Sequence, residues 1–212
     1  MNKPTRSVEL IVWGGLVLVM AVIFGAYFAS KLRAARQPMP VLSTVSDFAL
    51  TNQSGRVVTL SDLRDKVWVA DIIFTRCPGP CAKMTKQMSE LQAALPADET
   101  IQLVSLTADP EFDTPDVLKK YGERFGASSS RWQFLTGRKL DVYRLATKGL
   151  LLAVDEIKAD ERTSPDDLFM HSTLFVIVDK QGRVRGSFDG TEASSRPKLL
   201  AAIKALLKEK QP

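Results

Sequence analysis

The sequence predicts an α/β domain, a central sheet covered by helices, carried behind a single N-terminal transmembrane helix. Three observations carry that prediction. Leu10–Ser30 is a 21-residue stretch without a charge. Val67–Phe74, Ile101–Thr107 and Thr173–Val178 are nearly continuous apolar runs of strand length, as expected for strands covered on both faces. Apolar residues recur at helical spacing in segments between and after these runs. The 212 residues have room for one medium domain and an additional segment. With 45% hydrophobic and 25% charged residues, the chain has ordinary globular proportions, which excludes a wholly disordered or fibrous protein.

Taken in order, the first element is the anchor. A helix as long as Leu10–Ser30 spans ~30 Å, the hydrocarbon thickness of a bilayer. A cleaved signal peptide would have a shorter apolar region of ~7–15 residues ending in a small-x-small site, whereas Tyr27 and Phe28 stand where small residues are needed. No cysteine lies nearby, which excludes a lipoprotein anchor. Lys3 and Arg6 on one flank nearly balance Lys31, Arg33 and Arg36 on the other, so flanking charge does not set the orientation. Gln37–Val41 is a short, proline-stiffened tether. The expected organisation is residues 1–9 as a cytoplasmic N-terminus, 10–30 as the anchor, 31–44 as a linker and 45–212 as the folded domain.

In that domain, Phe48–Leu50 and Arg56–Leu60 flank Asn52-Gln-Ser-Gly55 and read as a β-hairpin. Val67–Phe74 reads as a central strand. Met84, Met88, Leu91 and Leu95 then repeat at helical spacing until Pro96, which assigns both methionines to the core rather than to metal binding. Ile101–Thr107 is a second buried strand. Thr114 as N-cap and Pro115 at the first helical position open a helix through about Phe125. Trp132–Leu135 is a short strand, Arg138 to about Lys148 a helix, and Leu150–Phe169 a loop or surface insertion. Thr173–Val178, the turn Asp179–Gly182 and the return strand Arg183–Asp189 follow. A helix from about Ser195 to Lys208 closes the chain.

The formal charge of +5 belongs to the anchor region. Residues 1–36 carry five basic side chains and one acidic, leaving 24 basic and 23 acidic for the remainder. A nearly neutral domain without a basic-aromatic patch gives no support for nucleic-acid binding. Two cysteines, Cys77 and Cys81, and one histidine, His171, complete the inventory of soft and imidazole ligands. So few cysteines do not make a disulfide scaffold, and the fold must rest on its apolar core.

Cys77 and Cys81 sit at the junction of the central strand and the next helix, where open α/β sheets place their sites. Four positions apart, they fall on one side of a first helical turn, whose free N–H groups and positive dipole end favour thiolate. Arg76 adds a positive charge. A static disulfide gains more from closing a longer loop, so the pair reads as a redox dithiol or a soft-metal site. His171, just before the strand at Thr173, would complete a Cys₂His set suited to Cu(I) and acceptable to zinc. The 90 positions between Cys81 and His171 do not by themselves bring them together. Asp109 and Asp113 read as turn-forming and capping residues around Thr114 and Pro115.

From about Ser46 to Phe188, the sequence resembles the Sco/SenC family of copper-binding, thioredoxin-like proteins that assemble cytochrome c oxidase. The resemblance rests on FTRCPGPC, SLTADPEFDTPDVLKKYGERFG, RWQFLTG and HSTLFVIVDKQGRVRGSF, in that order. It implies a thioredoxin-like domain with a central mixed sheet, held outside the cytoplasm by its anchor. It further implies Cys77, Cys81 and His171 as copper ligands, with the cysteines also redox-active. Two positions depart from the family pattern: Gly79 replaces a frequent acidic residue in the cysteine loop, and Ala82 a frequent proline just after it.

The function so implied is a copper metallochaperone serving the copper-bearing subunit of an oxidase, loaded by a copper donor protein. The alternative is a thiol-disulfide oxidoreductase with Cys77 as nucleophile and Cys81 resolving. Three residues rather than two between the cysteines, and no proline in Met170-His-Ser-Thr, argue against a general thioredoxin. A peroxidase similar to the peroxiredoxins is a third, weaker reading.

Overall fold

The computed structural model describes residues 6–36, 38–96, 100–158, 160–162, 164 and 168–209. Residues 1–5 of the expected N-terminal segment, position 37 of the tether and parts of the 150–169 insertion lie outside these. The chain divides into two compact units at the Met39/Pro40 junction. The first contains α1 (Arg6–Arg36), within which Leu10–Ser30 is long and apolar enough to cross a membrane, with a mean hydropathy of 2.3 and none of that span buried.

The second unit is built on a mixed sheet. Its strands are β1 (Ser43–Thr44), β2 (Ala49–Asn52), β3 (Val57–Thr59), β4 (Val67–Ile73), β5 (Ile101–Thr107) and β6 (Trp132–Thr136), with β9 (Leu174–Val178) and β10 (Arg183–Asp189) completing it. They lie in the order β1-β10-β9-β4-β5-β6-β2-β3. β4, β5 and β6 run parallel, while β9 joins β4 antiparallel and β2 joins β6 antiparallel. Every residue of β4, β5 and β6 is buried, as their mainly apolar character predicts, and the few polar side chains in them, Asp71 and Gln102 among them, are buried as well.

The helices are α2 (Leu60–Leu63), α3 (Pro80–Ala94), α4 (Pro115–Arg124), α5 (Lys139–Arg144) and α6 (Ser195–Lys208). Met84, Met88 and Leu91 of α3 are fully buried, as are Leu199, Ile203 and Leu206 of α6. Thr114 caps α4 by accepting a hydrogen bond from the Val117 N–H, with Pro115 at the first position. The β2–β3 hairpin turns at Gly55, whose φ of +76° lies where glycine is favoured, and the Asn52 side chain accepts from the N–H groups of Ser54 and Arg56.

Four features were not expected. Leu60 opens the short α2 rather than ending a strand, and β1 pairs with the outer edge of β10. α5 ends in a π-helical turn, Leu145–Gly149, instead of continuing as α-helix. The 150–169 stretch is not simply a loop: it supplies β7 (Val154–Glu156), which pairs with β8 (Phe169–His171) in a separate two-stranded ribbon. His171 therefore belongs to a strand of its own.

The end of α6 is tied to the sheet through a buried charge. Arg185 on β10, 2% exposed, donates to Asp179 at 2.7 Å and to both carboxylate oxygens of Glu209 at 2.9 and 3.0 Å. Asp179→Ala would remove one of the two carboxylates that match this buried guanidinium and, with it, the acceptor of the Gln181 and Arg183 N–H groups in the turn. We expect a loss of ~3–5 kcal/mol in chemical denaturation; a change under ~1 kcal/mol, the range of exposed ion pairs, would contradict this assignment.

Candidate metal centre

The centre forms where β4 ends. After Ile73 the chain leaves the sheet through Phe74, turns at Cys77, whose N–H donates to the Phe74 carbonyl at 3.2 Å, and enters α3 at Pro80. Only Cys81 lies within the helix. Cys77 stands in the turn before it, so the two sulfurs approach across the helix start rather than along one helical face. Gly79, the α3 N-cap, has no side chain to occupy the first N–H groups, which leaves them directed at the cysteine turn.

His171 arrives from the other direction. β9 runs antiparallel to β4 with Ala70 opposite Val176, so the segment preceding β9 meets the end of β4. The donor atoms of Cys77, Cys81 and His171 all lie within 4.8 Å of one another. His171 Nε2 is 3.1 Å from Cys81 Sγ, and Nδ1 is 3.0 Å from the Ser172 carbonyl. Since a carbonyl only accepts, Nδ1 carries the proton, and in the neutral ring Nε2 directs its lone pair at the sulfurs. The Phe74 ring packs edge-on against both the imidazole and Phe169, at centroid distances of 5.7 and 5.2 Å.

Both cysteines are free, with Cys77 half-buried and Cys81 buried. The environment separates their acidities. A hydrogen bond from the Cys81 thiol, opposed by burial and aided by His171 and the N–H groups of Cys81 and Gly79, brings Cys77 down to about 4. Burial, reinforced by the Cys77 thiolate, pushes Cys81 far up. Burial disfavours the imidazolium of His171, but the hydrogen bond to the Cys77 thiolate, the Ser172 carbonyl and the negative charges of Cys77 and Asp71 together raise it.

Three aspartates lie around this site that the sequence did not assign to it. Asp113 is fully buried and accepts from the Thr75 N–H at 3.1 Å, from the Thr75 hydroxyl at 2.5 Å and from the Thr107 hydroxyl at 2.5 Å. Asp109 accepts from Arg76 at 2.6 Å, and Arg76 stacks on Phe112 with its guanidinium carbon 3.9 Å from the ring centroid. The two aspartates, expected to shape their own turn, thus also grip the two residues preceding Cys77. Asp71, in the middle of β4, is wholly buried with the Ser105 hydroxyl beside its carboxyl, and burial, only partly offset by that hydroxyl, pushes it up to about 7. A single aspartate inside an apolar strand was the available sequence signal.

This electrostatic arrangement predicts that thiolate absorbance of the reduced protein titrates with a midpoint near 4 for one sulfur. Iodoacetamide should modify Cys77 at a rate nearly constant between about pH 6 and 8 while sparing Cys81. A single midpoint in the ordinary thiol range, ~8.5, would contradict it.

The SCO1/SenC family profile matches residues 37–208. A SCO1 protein homolog of Bacillus subtilis is 31% identical over 168 residues, 78% of this chain and 84% of its own. A protein of Stutzerimonas stutzeri, whose name proposes copper binding, is 30% identical over 150 residues, 70% of each chain. The solved structure of BsSco, described as a cytochrome c oxidase assembly protein of the Sco family with a disulfide switch, is 30% identical and superposes with a TM-score of 0.69 over 82% of this chain and 100% of its own. The fold is thioredoxin-like, as in that structure. With its profile, its relatives and its fold in agreement, the chain belongs to the SCO1/SenC family.

Proposed function

We propose that this chain is a membrane-anchored copper chaperone that holds copper through Cys77, Cys81 and His171 and passes it to the copper-bearing subunit of a cytochrome c oxidase. The observation that carries this reading is the convergence of two reduced sulfurs and an imidazole nitrogen within 4.8 Å. Donors bound to one ion at ~2.0–2.3 Å stand no more than ~4.6 Å apart, so the three need little movement to share one. The set is soft and suits Cu(I). The Stutzerimonas relative's name and the oxidase-assembly role described for BsSco support copper and its recipient.

The apolar span Leu10–Ser30 supports an anchor, with the domain on the extracytoplasmic side, where disulfides can persist. Joining the Cys77 thiolate and the Cys81 thiol as a disulfide would give two electrons to an external oxidant, release the one proton of the Cys81 thiol, and remove two of the three donors. Redox state thereby gates loading. Cys77, half-buried and held as thiolate, is suited to be the exchanging ligand, since it faces an incoming partner while Cys81 stays behind it.

The same asymmetry supports the second reading, thiol-disulfide exchange. Cys77 would attack a partner disulfide and form a mixed disulfide; Cys81 would resolve it, delivering two electrons to the partner and leaving Cys77–Cys81 oxidised.

Cu(I) titration of the reduced chain against a competing chelator should give one tight equivalent. Cys77→Ser and His171→Ala should each weaken it by more than ~100-fold, beyond the effect of altering groups that only orient a ligand. Equal affinity in the variants, or none in the unaltered chain, would contradict the chaperone reading. Rapid catalytic disulfide reduction by a chain without copper affinity would establish the second reading instead.

A further inference from the structure

A cleft of about 710 Å³ lies between the start of the domain and the α5 face. Its floor includes Phe48, Leu50 and Leu145, and its mouth carries Arg138, Arg144 and Lys148. Two acids share that mouth, Asp47 and Asp141. Arg138 is occupied by Asp141 at 2.6 Å, whereas Arg144 and Lys148 are exposed and have no carboxylate within ion-pair distance among the described residues. The free cations outnumber the free acid, which suits a ligand carrying negative charge.

Exposed apolar side chains border this cationic mouth. Leu140, 74% exposed, precedes Arg144 by one turn on the same side of α5. Leu151, 49% exposed, is the second residue after the π-helical turn and holds a φ of +59°, a conformation that L side chains rarely adopt. Glycine would serve the backbone there better, and water gains nothing from a leucine. Exposed Val41 and Leu42 are joined to the same turn, because the Ser43 hydroxyl donates to the Lys148 and Gly149 carbonyls at 3.3 and 3.0 Å. Leucines beside unpaired cations form the pattern that enters the boundary between headgroups and acyl chains.

We propose that this face docks on a bilayer surface containing anionic phospholipid, with Arg144 and Lys148 pairing with headgroup phosphates and Leu151, Val41 and Leu42 entering the interface. The occupant follows from charge complementarity and from the anchor, so the proposal rests on the anchored reading above. Only ten residues separate Ser30 from Val41 in sequence, and a bilayer holding the helix would keep its own surface at high effective concentration around the patch. Docking would restrict the domain's orientation while using none of the metal-binding residues.

Hydrogen exchange of the full chain in lipid nanodiscs tests this. Exchange across residues 138–151 should slow when phosphatidylglycerol replaces part of the phosphatidylcholine, and high salt should reverse the effect. Arg144→Gln with Lys148→Gln should lose the protection. Leu151→Gly should also lose it while melting no lower than the unaltered chain, since glycine relieves the positive φ; this separates docking from folding. Equal exchange in both lipid mixtures, or protection unchanged in these variants, would overturn the proposal. Protection that follows protein concentration rather than lipid charge would assign the face to a second copy and overturn it as well. Carbonate extraction of the chain from vesicles reads the anchor independently, because it strips surface contacts and leaves a spanning helix in place.

Discussion

The antiparallel pairing of β9 with β4 is the constraint on which the site depends. Trp68, Val69 and Ala70 face Val178, Ile177 and Val176, so β9 begins where β4 is ending. The parallel strands β4, β5 and β6 bring their carboxyl ends to one edge, which gives the cysteine turn its place there. Without a strand of opposite direction beside β4, the segment before β9 would emerge at the far edge, and no imidazole 90 positions from Cys81 would reach the sulfurs. The apolar residues fixing this register are almost completely buried, and a slip of one position would exchange the side chains packed against the two faces of the sheet. The core therefore does the aligning, and the two cysteines and His171 need not hold the fold together.

Around that convergence, the turn is held from the side by residues of the loop after β5. Asp113 grips Thr75 and Asp109 grips Arg76, fixing the two positions that lead into Cys77. Phe74 braces His171 from just past the end of β4. The result is a dithiol with unequal members: an outer sulfur stabilised as thiolate by surrounding donors, and an inner one whose burial opposes charge. That inequality serves either reading of the function, since an outer thiolate suits both ligand exchange and nucleophilic attack.

Much of this could be read from the chain. β5 matches its expected limits, β4 differs only at Phe74, and the cysteines stand at the predicted junction. These were legible because buried strands and capped helices are marked by local pattern. The ribbon carrying His171 was not. β7 and β8 have three residues each, with Val154 the one buried side chain between them, too few positions for alternation to register. The second role of Asp109 and Asp113 was hidden for a different reason. Their partners lie 33 and 38 positions away, so their local turn chemistry accounted for them in the sequence before tertiary contact gave them more to do. The π-helical turn after α5 likewise has no periodicity that separates it from ordinary helix.

The central claim is that two sulfurs and one imidazole nitrogen bind the same copper ion. X-ray absorption spectroscopy of the reduced, Cu(I)-loaded chain tests it most directly. The account predicts two sulfur scatterers at ~2.3 Å and one nitrogen at ~2.0 Å, distances usual for such donors, with the nitrogen lost in His171→Ala. A spectrum with no sulfur in the inner shell, or one that His171→Ala leaves unchanged, would contradict it.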